Sequence, residues 1–555
     1  MSAHFIEELL PKRIGIGIDF GMTYSGAAMA FEMPGGALSI EPVPIQEVVG
    51  EPKFPTVVYV SPDLRIVRVG QDAWEPNDPA NTYTLFKRHL GTDWSPRAGV
   101  DAVFLTRKTL EFIKTQIDAF LRGRGFDKPQ VEKRYVFTFP GAWPPKRMLA
   151  LKEAIRQAGF GDDPTLLDEA TATAIAAARV GGNPRMLGNQ QTTFVCDFGG
   201  GTTDFGLVQA TEMGFIRLKF VAGGNPLLGM SNLDKIFAML IADKTRQLQA
   251  SGQAALRKRI VVGRDLESAW DEYAANPQWK LDMLRKAEAL KRNAFSNWRQ
   301  FQSDVIKLPD GQFQELSKDE IQPFVAAMHR ELRDATEDYL KEAQQRDGLD
   351  RQMVRFIVIG GGGSALPDVG NILGQQMPQA ELLKLSAEVA TSLVQRGAAF
   401  YGFDSTLYDR RSLHSYGVIA HRPEEPPYPV AERDVEKDVP TVTGERKTYY
   451  PWYEVYVRRN EIIRVGDTRK HEFRPLRASQ REVSFEVLEG EQANPRANKR
   501  IGEVKLGLPA HAKQTYSVQC TFTIGKDNLL LVRATGEHGE VIEQTMIWQV
   551  DLRND

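Results

Sequence analysis

The sequence predicts an α/β fold followed by a separate all-β sandwich. Three observations lead there. Strand and helix signals alternate from Arg13 to about Gly402. A pattern of strand, Asp, Gly-rich turn, Thr and strand occurs twice, first at Ile16–Thr23 and again at Phe194–Asp204. After Gly402 helical periodicity gives way to short β-rich runs separated by Gly, Asn and Asp turns.

Taken in order, Ile14–Phe20 and Gly26–Phe31 read as strands joined by a Gly/Thr/Ser turn. Leu110, Ile113, Ile117, Phe120 and Leu121 fall on one face of a helix. Tyr135–Phe139 is a strand running into Pro140, and Pro144 and Pro145 suit the first turn of a helix over Met148–Ala158, where a proline sacrifices no internal hydrogen bond. A further strand ends at Asp197. The charged stretch from about Asn225 to Asp310 reads as an inserted helical subdomain. Glu482–Leu488, Gly502–Leu506, Tyr516–Ile524, Leu529–Ala534 and Gln544–Val550 are the strands expected of the sandwich. The predicted divisions are 1–402 (with the insertion at about 225–312), a linker at 403–415, and 416–555. His421–Lys447, acidic and rich in proline, reads as a flexible decoration in preference to a partner contact.

Composition narrows the function classes. The 555 residues carry 70 Lys+Arg against 72 Asp+Glu, a formal charge of -2, so no basic footprint for nucleic acid or an anionic membrane is present. No apolar run approaches the roughly 18 residues of a membrane span. Two cysteines and the lack of a basic-then-apolar N-terminus point to a reducing compartment, the cytoplasm. Eight scattered histidines give no zinc-ligand spacing.

The repeat carries the chemistry. Two facing hairpins of this kind cradle a polyphosphate, because glycine lets backbone N–H groups approach the oxygens and Thr adds a hydroxyl donor. The strand-terminal Asp19 and Asp197 suit a hydrated Mg²⁺, which keeps its waters and takes few carboxylates. A third glycine cluster, Gly360–Gly363, follows the strand Phe356–Ile359. No Gly-x-x-x-x-Gly-Lys-[Ser/Thr] loop occurs.

With these motifs in order, the chain resembles the seventy-kilodalton heat-shock (DnaK-type) chaperones of the actin and hexokinase superfamily. Asp19–Gly26, including Gly21, Met22, Thr23 and Tyr24, resembles the first phosphate motif. Asp197–Asp204, including Gly199, Gly200, Gly201, Thr202 and Thr203, resembles the second. Gly361–Pro367, including Gly362, Gly363 and Ser364, resembles the adenosine motif. Asn81–Gly91 places Lys87 at the family's catalytic lysine, and Asp168–Ala176 places Glu169 at its catalytic glutamate. Glu288, Lys291 and Arg292 resemble the adenosine-clamping helix, and Pro140 the interdomain switch.

The resemblance implies an actin-like domain that binds and hydrolyses ATP to ADP with Mg²⁺. Lys87, Glu169, Asp197 and Thr202 are then catalytic, with Asp204 completing the acidic surround. Phe473–Glu491 and Asn498–Glu503 resemble the peptide-binding sandwich, with Phe473, Leu476, Val483 and Phe485 at pocket positions. The implied partners are extended or unfolded protein segments and co-chaperones.

Departures from the family pattern are specific. Met22 stands where typical members have threonine, and Ala365 where an arginine stacks on adenine, removing a cation–π contact of about 0.5 to 2 kcal/mol. Met230 and Ser231 replace a Gly-Glu pair, and Ala170 a proline. Phe403–Ser412 lacks the leucine-rich linker, and a chain ending at Asp555 leaves no room for a helical lid. Two further readings follow: a nucleotide-gated binding scaffold with little hydrolysis, suggested by Met22 and Ala365, and a small-molecule kinase, which the C-terminal sandwich argues against.

Overall fold

Ile14, Ile16 and Ile18 alternate with Gly15 and Gly17 along the first strand, and the alternation decides what can lie on it. The isoleucines are fully buried. A Cβ on Gly15 would come within 2.1 Å of Ala399 O, and one on Gly17 within 2.1 Å of Gln395 O. The helix Ala387–Phe403 therefore lies directly on the glycine face of the strand, closer than any side chain permits.

This computed structural model describes residues 10–46, 53–141, 143, 145–162, 164–180, 191–210, 216–220, 224–246, 248–272, 277–308, 310–405, 408–409, 415–458, 461, 466–510, 512–524 and 530–546. The chain divides into two compact units, the first covering Met1–Tyr408 and the second Asp409–Gln549.

Two sheets of matching topology build the first unit. In one, β1 (Arg13–Asp19), β2 (Tyr24–Glu32), β3 (Leu38–Val43), β4 (Glu132–Phe139) and β5 (Thr165–Asp168) run in the order β3-β2-β1-β4-β5. In the other, β6 (Thr192–Phe198), β7 (Thr203–Ala210), β8 (Ile216–Phe220), β9 (Val354–Gly360) and β10 (Glu381–Leu382) run in the order β10-β9-β6-β7-β8. Each opens with an antiparallel hairpin, β1/β2 or β6/β7, and adds parallel strands on the other side of its first strand. The sequence repeat is thus a structural repeat.

After the last strand of each sheet comes a helix: α1 (Glu169–Val180) after β5 and, further along the chain, α5 (Ala387–Phe403) after β10. They cross where a Cβ on Gly397 would stand only 1.7 Å from Ala172 O. Between them in sequence lie α2 (Ser231–Lys244), α3 (Arg264–Asp271) and α4 (Pro277–Ser296), the helix-rich insertion, with a two-stranded hairpin, Ser303–Lys307 with Phe313–Ser317. A capping box at Ser317 and Glu320 then starts the helix Lys318–Asp347.

The second unit is all β. One sheet has the order 436–440, 446–457, 416–422, 482–489, 499–507, and the other 468–473, 518–524, 530–536, 541–546. Alternate residues face inward: Val483, Phe485 and Val487 from one sheet and Val518, Cys520 and Phe522 from the other share one core. The expected strand Gln544–Val550 is found as Val541–Met546, and 547–550 lie outside the described residues. Of the linker Phe403–Ser412, Phe403 is the last residue of α5, and 406, 407 and 410–412 lie outside the described residues.

One expectation is corrected. His421–Lys447 is built structure rather than a flexible decoration: Glu436–Pro440 pairs with the start of Arg446–Val457 and extends the sheet. Its prolines sit at an edge and in turns, where no ladder donor is needed. Aromatic groups fasten it, the Trp452 indole donating to Glu424 O at 2.9 Å and the Tyr428 hydroxyl to Pro451 O.

Candidate functional site

The two hairpin turns of the repeat face one another across a cleft of about 360 Å³. Thr23 Oγ1 lies where a Cβ on Gly200 would be, 2.1 Å away, and Met22 Cγ stands 2.7 Å from the Cβ position of Gly201. These glycines are required by the close approach of the opposite loop. Gly199 N–H donates to Thr202 O at 2.9 Å, and the start of α2 is fastened below, with Met230 N–H on Gly199 O and Ser231 N–H on Gly200 O.

Charged groups form the floor. Lys87 Nζ donates to Glu169 Oε1 at 3.1 Å, the two side chains only 3% and 9% exposed. Lys87 also stands 5.0 Å from the centroid of the Trp143 ring and 5.5 Å from that of Phe20. Lys53 pairs with Asp19 at 2.5 Å. Burial pushes the carboxyls of Glu169 and Asp197 upward, Lys87 opposing this at Glu169 and the neighbouring carboxylates Glu169, Asp19 and Asp204 adding to it at Asp197. Burial and the Glu169 charge push Asp204 up to about 8. Asp197 Oδ1 is buried and accepts no hydrogen bond from the described residues.

Four buried carboxyls crowd against two lysines, and their upward shifts mark groups that hold protons here and would give them up to a cation. Among the described residues no three acidic, His or Cys side chains converge closely enough to hold an ion directly.

The other end of the cleft is lined by Glu288, Lys291, Arg292 and Phe295 of α4, by Gly361, Gly362 and Ala365, and by Ala387, Glu388, Thr391 and Val394 of α5. Lys291 is buried, pairing with Asp234 at 2.7 Å and donating to Met230 O at 3.1 Å. Burial pushes Asp234 up to about 6 despite that partner. Arg292 pairs with Glu288 at 3.2 Å and lies 4.7 Å from the Tyr24 ring centroid.

No protein-family model matches the chain. The curated proteins do give relatives along almost all of it. It is 25% identical over 553 residues to the chaperone protein HscA homolog of Cupriavidus taiwanensis, covering 96% of this chain and 77% of that protein. It is 24% identical over 551 residues to the chaperone protein DnaK of Thermotoga maritima, covering 97% and 80%. The HscA homolog of Burkholderia pseudomallei is similar at 24% over 553 residues, covering 96% and 77%.

Along almost its whole length the chain is thus similar to chaperones named DnaK and HscA homolog. Its fold is an actin-like domain, with two sheets of matching topology, followed by a β-sandwich. Of the positions that the heat-shock resemblance singles out, Asp19, Gly21–Tyr24, Lys87, Pro140, Glu169, Asp197, Gly199–Thr202, Glu288, Lys291, Arg292, Gly361 and Gly362 are brought together on this one cleft. Three are turned to other tasks. The Thr203 hydroxyl donates to Leu228 O at 2.7 Å, Gly363 makes room for the Phe198 ring, and the Ser364 hydroxyl donates to Gly361 O at 2.8 Å.

In the second unit Val483 and Phe485 are sandwich core, 7% and 2% exposed, rather than an open pocket wall, because they alternate inward with Val487. Phe473 is half-buried, its ring edge-on to Phe485 at 5.1 Å, and Leu476 is half-buried beyond it.

Sequence reasoning missed Lys53, Asp234 and Phe295. Lys53 reaches Asp19 only because Lys53–Pro55 pairs with β2 next to the first turn, Gly26 opposite Lys53, and nothing in Lys-Phe-Pro announces that. Asp234 left a signal: an acid amid the apolar run of α2, where only a buried partner makes a charge tolerable.

Proposed function

We propose that the cleft binds ATP with a hydrated cation and hydrolyses it, and that the sandwich unit holds extended protein segments, making the chain a divergent ATP-driven chaperone. The buried Lys87–Glu169 pair, set on the floor between two facing glycine loops, carries this reading. The relatives named chaperone protein DnaK and HscA homolog support the chaperone class.

The loop amides around Gly21–Thr23 and Gly199–Thr202 are suited to phosphate oxygens, and Lys87 would set its ammonium beside the terminal phosphate as charge develops there. Glu169, whose carboxyl is raised by burial, accepts from Lys87 and is the group to orient the attacking water. The raised Asp197, with its Oδ1 unpaired among the described residues, and the nearby Asp19 fit Mg²⁺ held mainly through its waters, which when bound supplies neutralisation of phosphate charge. Asp204 and Thr202 would complete that shell. At the far end Glu288, Lys291 and Arg292, with Gly361 and Gly362, would flank the nucleoside.

Val483 and Phe485 form the base against which Phe473 and Leu476 would grip a peptide side chain while strand edges bond its main chain. Pro140 lies on the cleft wall, its carbonyl accepting from Trp143 N–H at 3.0 Å, and Trp143 packs on Lys87. That arrangement suits Pro140 as the relay from nucleotide state toward the sandwich.

Lys87→Ala tests the site. Single-turnover hydrolysis should fall on the order of a hundredfold while ATP still binds; an unchanged rate would remove Lys87 from the chemistry. The second reading, a nucleotide-gated scaffold, is favoured by Met22, a side chain without a hydroxyl that packs on Gly201. Sustained turnover by the wild-type protein excludes it.

A further inference from the structure

Lys87 does not reach the floor of the cleft on a regular helix or strand. It sits in a single 3-10 turn, Phe86–His89, entered through Leu85 in the left-handed region at φ 56°. A short turn with a strained entry has little of its own to hold it, so its neighbours decide where Lys87 stands.

The next residue supplies such a hold. The Arg88 guanidinium pairs with Glu267 Oε2 on α3, in the helix-rich insertion. The second oxygen, Oε1, pairs with Lys235 of α2, whose side chain is 2% exposed. Lys235 directly follows Asp234, the partner of Lys291 on the cleft wall. One carboxylate thus joins the turn carrying Lys87 to α3 and to α2, the helix that lends Ser231 and Asp234 to the cleft. Burial raises the Glu267 carboxyl, yet Lys235 and Arg88 together hold it below the ordinary range. Both Arg88 and Glu267 are about a quarter exposed, shielded enough that the pair is not a fully screened surface contact.

We propose that Glu267 is a positioning residue for Lys87: through Arg88 it ties the lysine's turn to the insertion, so that the insertion's placement over bound nucleotide sets where the Lys87 ammonium stands. The inference rests on reading the cleft as an ATP-hydrolysing site. A tether that merely stabilised the insertion would weaken nucleotide binding and folding without singling out the chemical step.

The experiment uses the purified full-length protein with saturating ATP and Mg²⁺. Arg88→Gln is the main variant, since it leaves Glu267 paired with Lys235 and orphans no buried charge; Glu267→Gln is the second, with its melting temperature recorded. Arg88→Lys is the conservative control. Misplacing a catalytic group is worth about tenfold to a hundredfold, so both Gln variants should lose at least about tenfold in single-turnover rate. The Kd for a fluorescent ATP analogue should stay within about threefold, the double variant should be no slower than the slower single, and Arg88→Lys should recover most of the rate.

Variants within about twofold of wild type, effects that multiply in the double variant, or losses that follow Kd would overturn the inference while leaving the site intact. Absence of turnover in the wild-type protein would overturn the reading of the cleft, and this inference with it.

Discussion

Asp204 shows what burial does to a carboxyl and, through it, to a protein. Its carboxyl is pushed up to about 8, against an ordinary value of 3.8. Between those values the folded chain keeps a proton that the unfolded chain has released, so stability falls as pH rises toward and through 8. Asp197 and Glu169 are raised in the same direction. The nucleotide-free protein in chelator should therefore melt lower at pH 8.5 than at pH 6, and Asp204→Asn should flatten that slope, checked by calorimetry at several pH values. A slope unchanged by the substitution would show that Asp204 does not titrate there. At this scale Asp19, Asp197, Glu169 and Lys87 were legible because their motifs have characteristic neighbours. Lys53 was not, since its role depends on a strand pairing that a three-residue segment does not announce.

Among the elements, the crossing of α1 and α5 is the closest of the glycine approaches among the described residues. A Cβ on Gly397 would stand 1.7 Å from Ala172 O, and because the obstacle is backbone it cannot turn aside. Gly397→Ala should destabilise by at least about 2 kcal/mol, read as a lower urea midpoint with an unchanged slope; near-wild-type stability would mean that the helices separate easily. In the sandwich, Phe473 is half-buried against Phe485. Phe473→Ser should weaken capture of an extended apolar peptide several-fold with little change in melting temperature, and equal affinity by fluorescence anisotropy would exclude that position. The hairpins β1/β2 and β6/β7 were legible because each joins an apolar strand to an Asp-Phe-Gly turn. The edge hairpin of Glu436–Pro440 with Arg446–Val457 was not, because its prolines outweighed the aromatic residues that fasten it.

For the whole molecule, the order of motifs carried most of the information. Asp19, Lys87, Glu169, Asp197, Glu288 and Gly361 are spread over more than three hundred residues, yet they line one cleft, because two sheets of the same topology present their first turns to each other. Thr203 and Ser364 show the limit of that inference: membership in a motif does not say which way a side chain turns. The proposed hydrolysing cleft and peptide-holding sandwich are coupled only if each ligand alters the other's free energy. The measurement that tests it most directly is single-turnover ATP hydrolysis by the full-length protein with and without a library of extended peptides, beside a Lys87→Ala control. The account predicts turnover well above the control and a faster rate when peptide is present; turnover no greater than that of Lys87→Ala would contradict it.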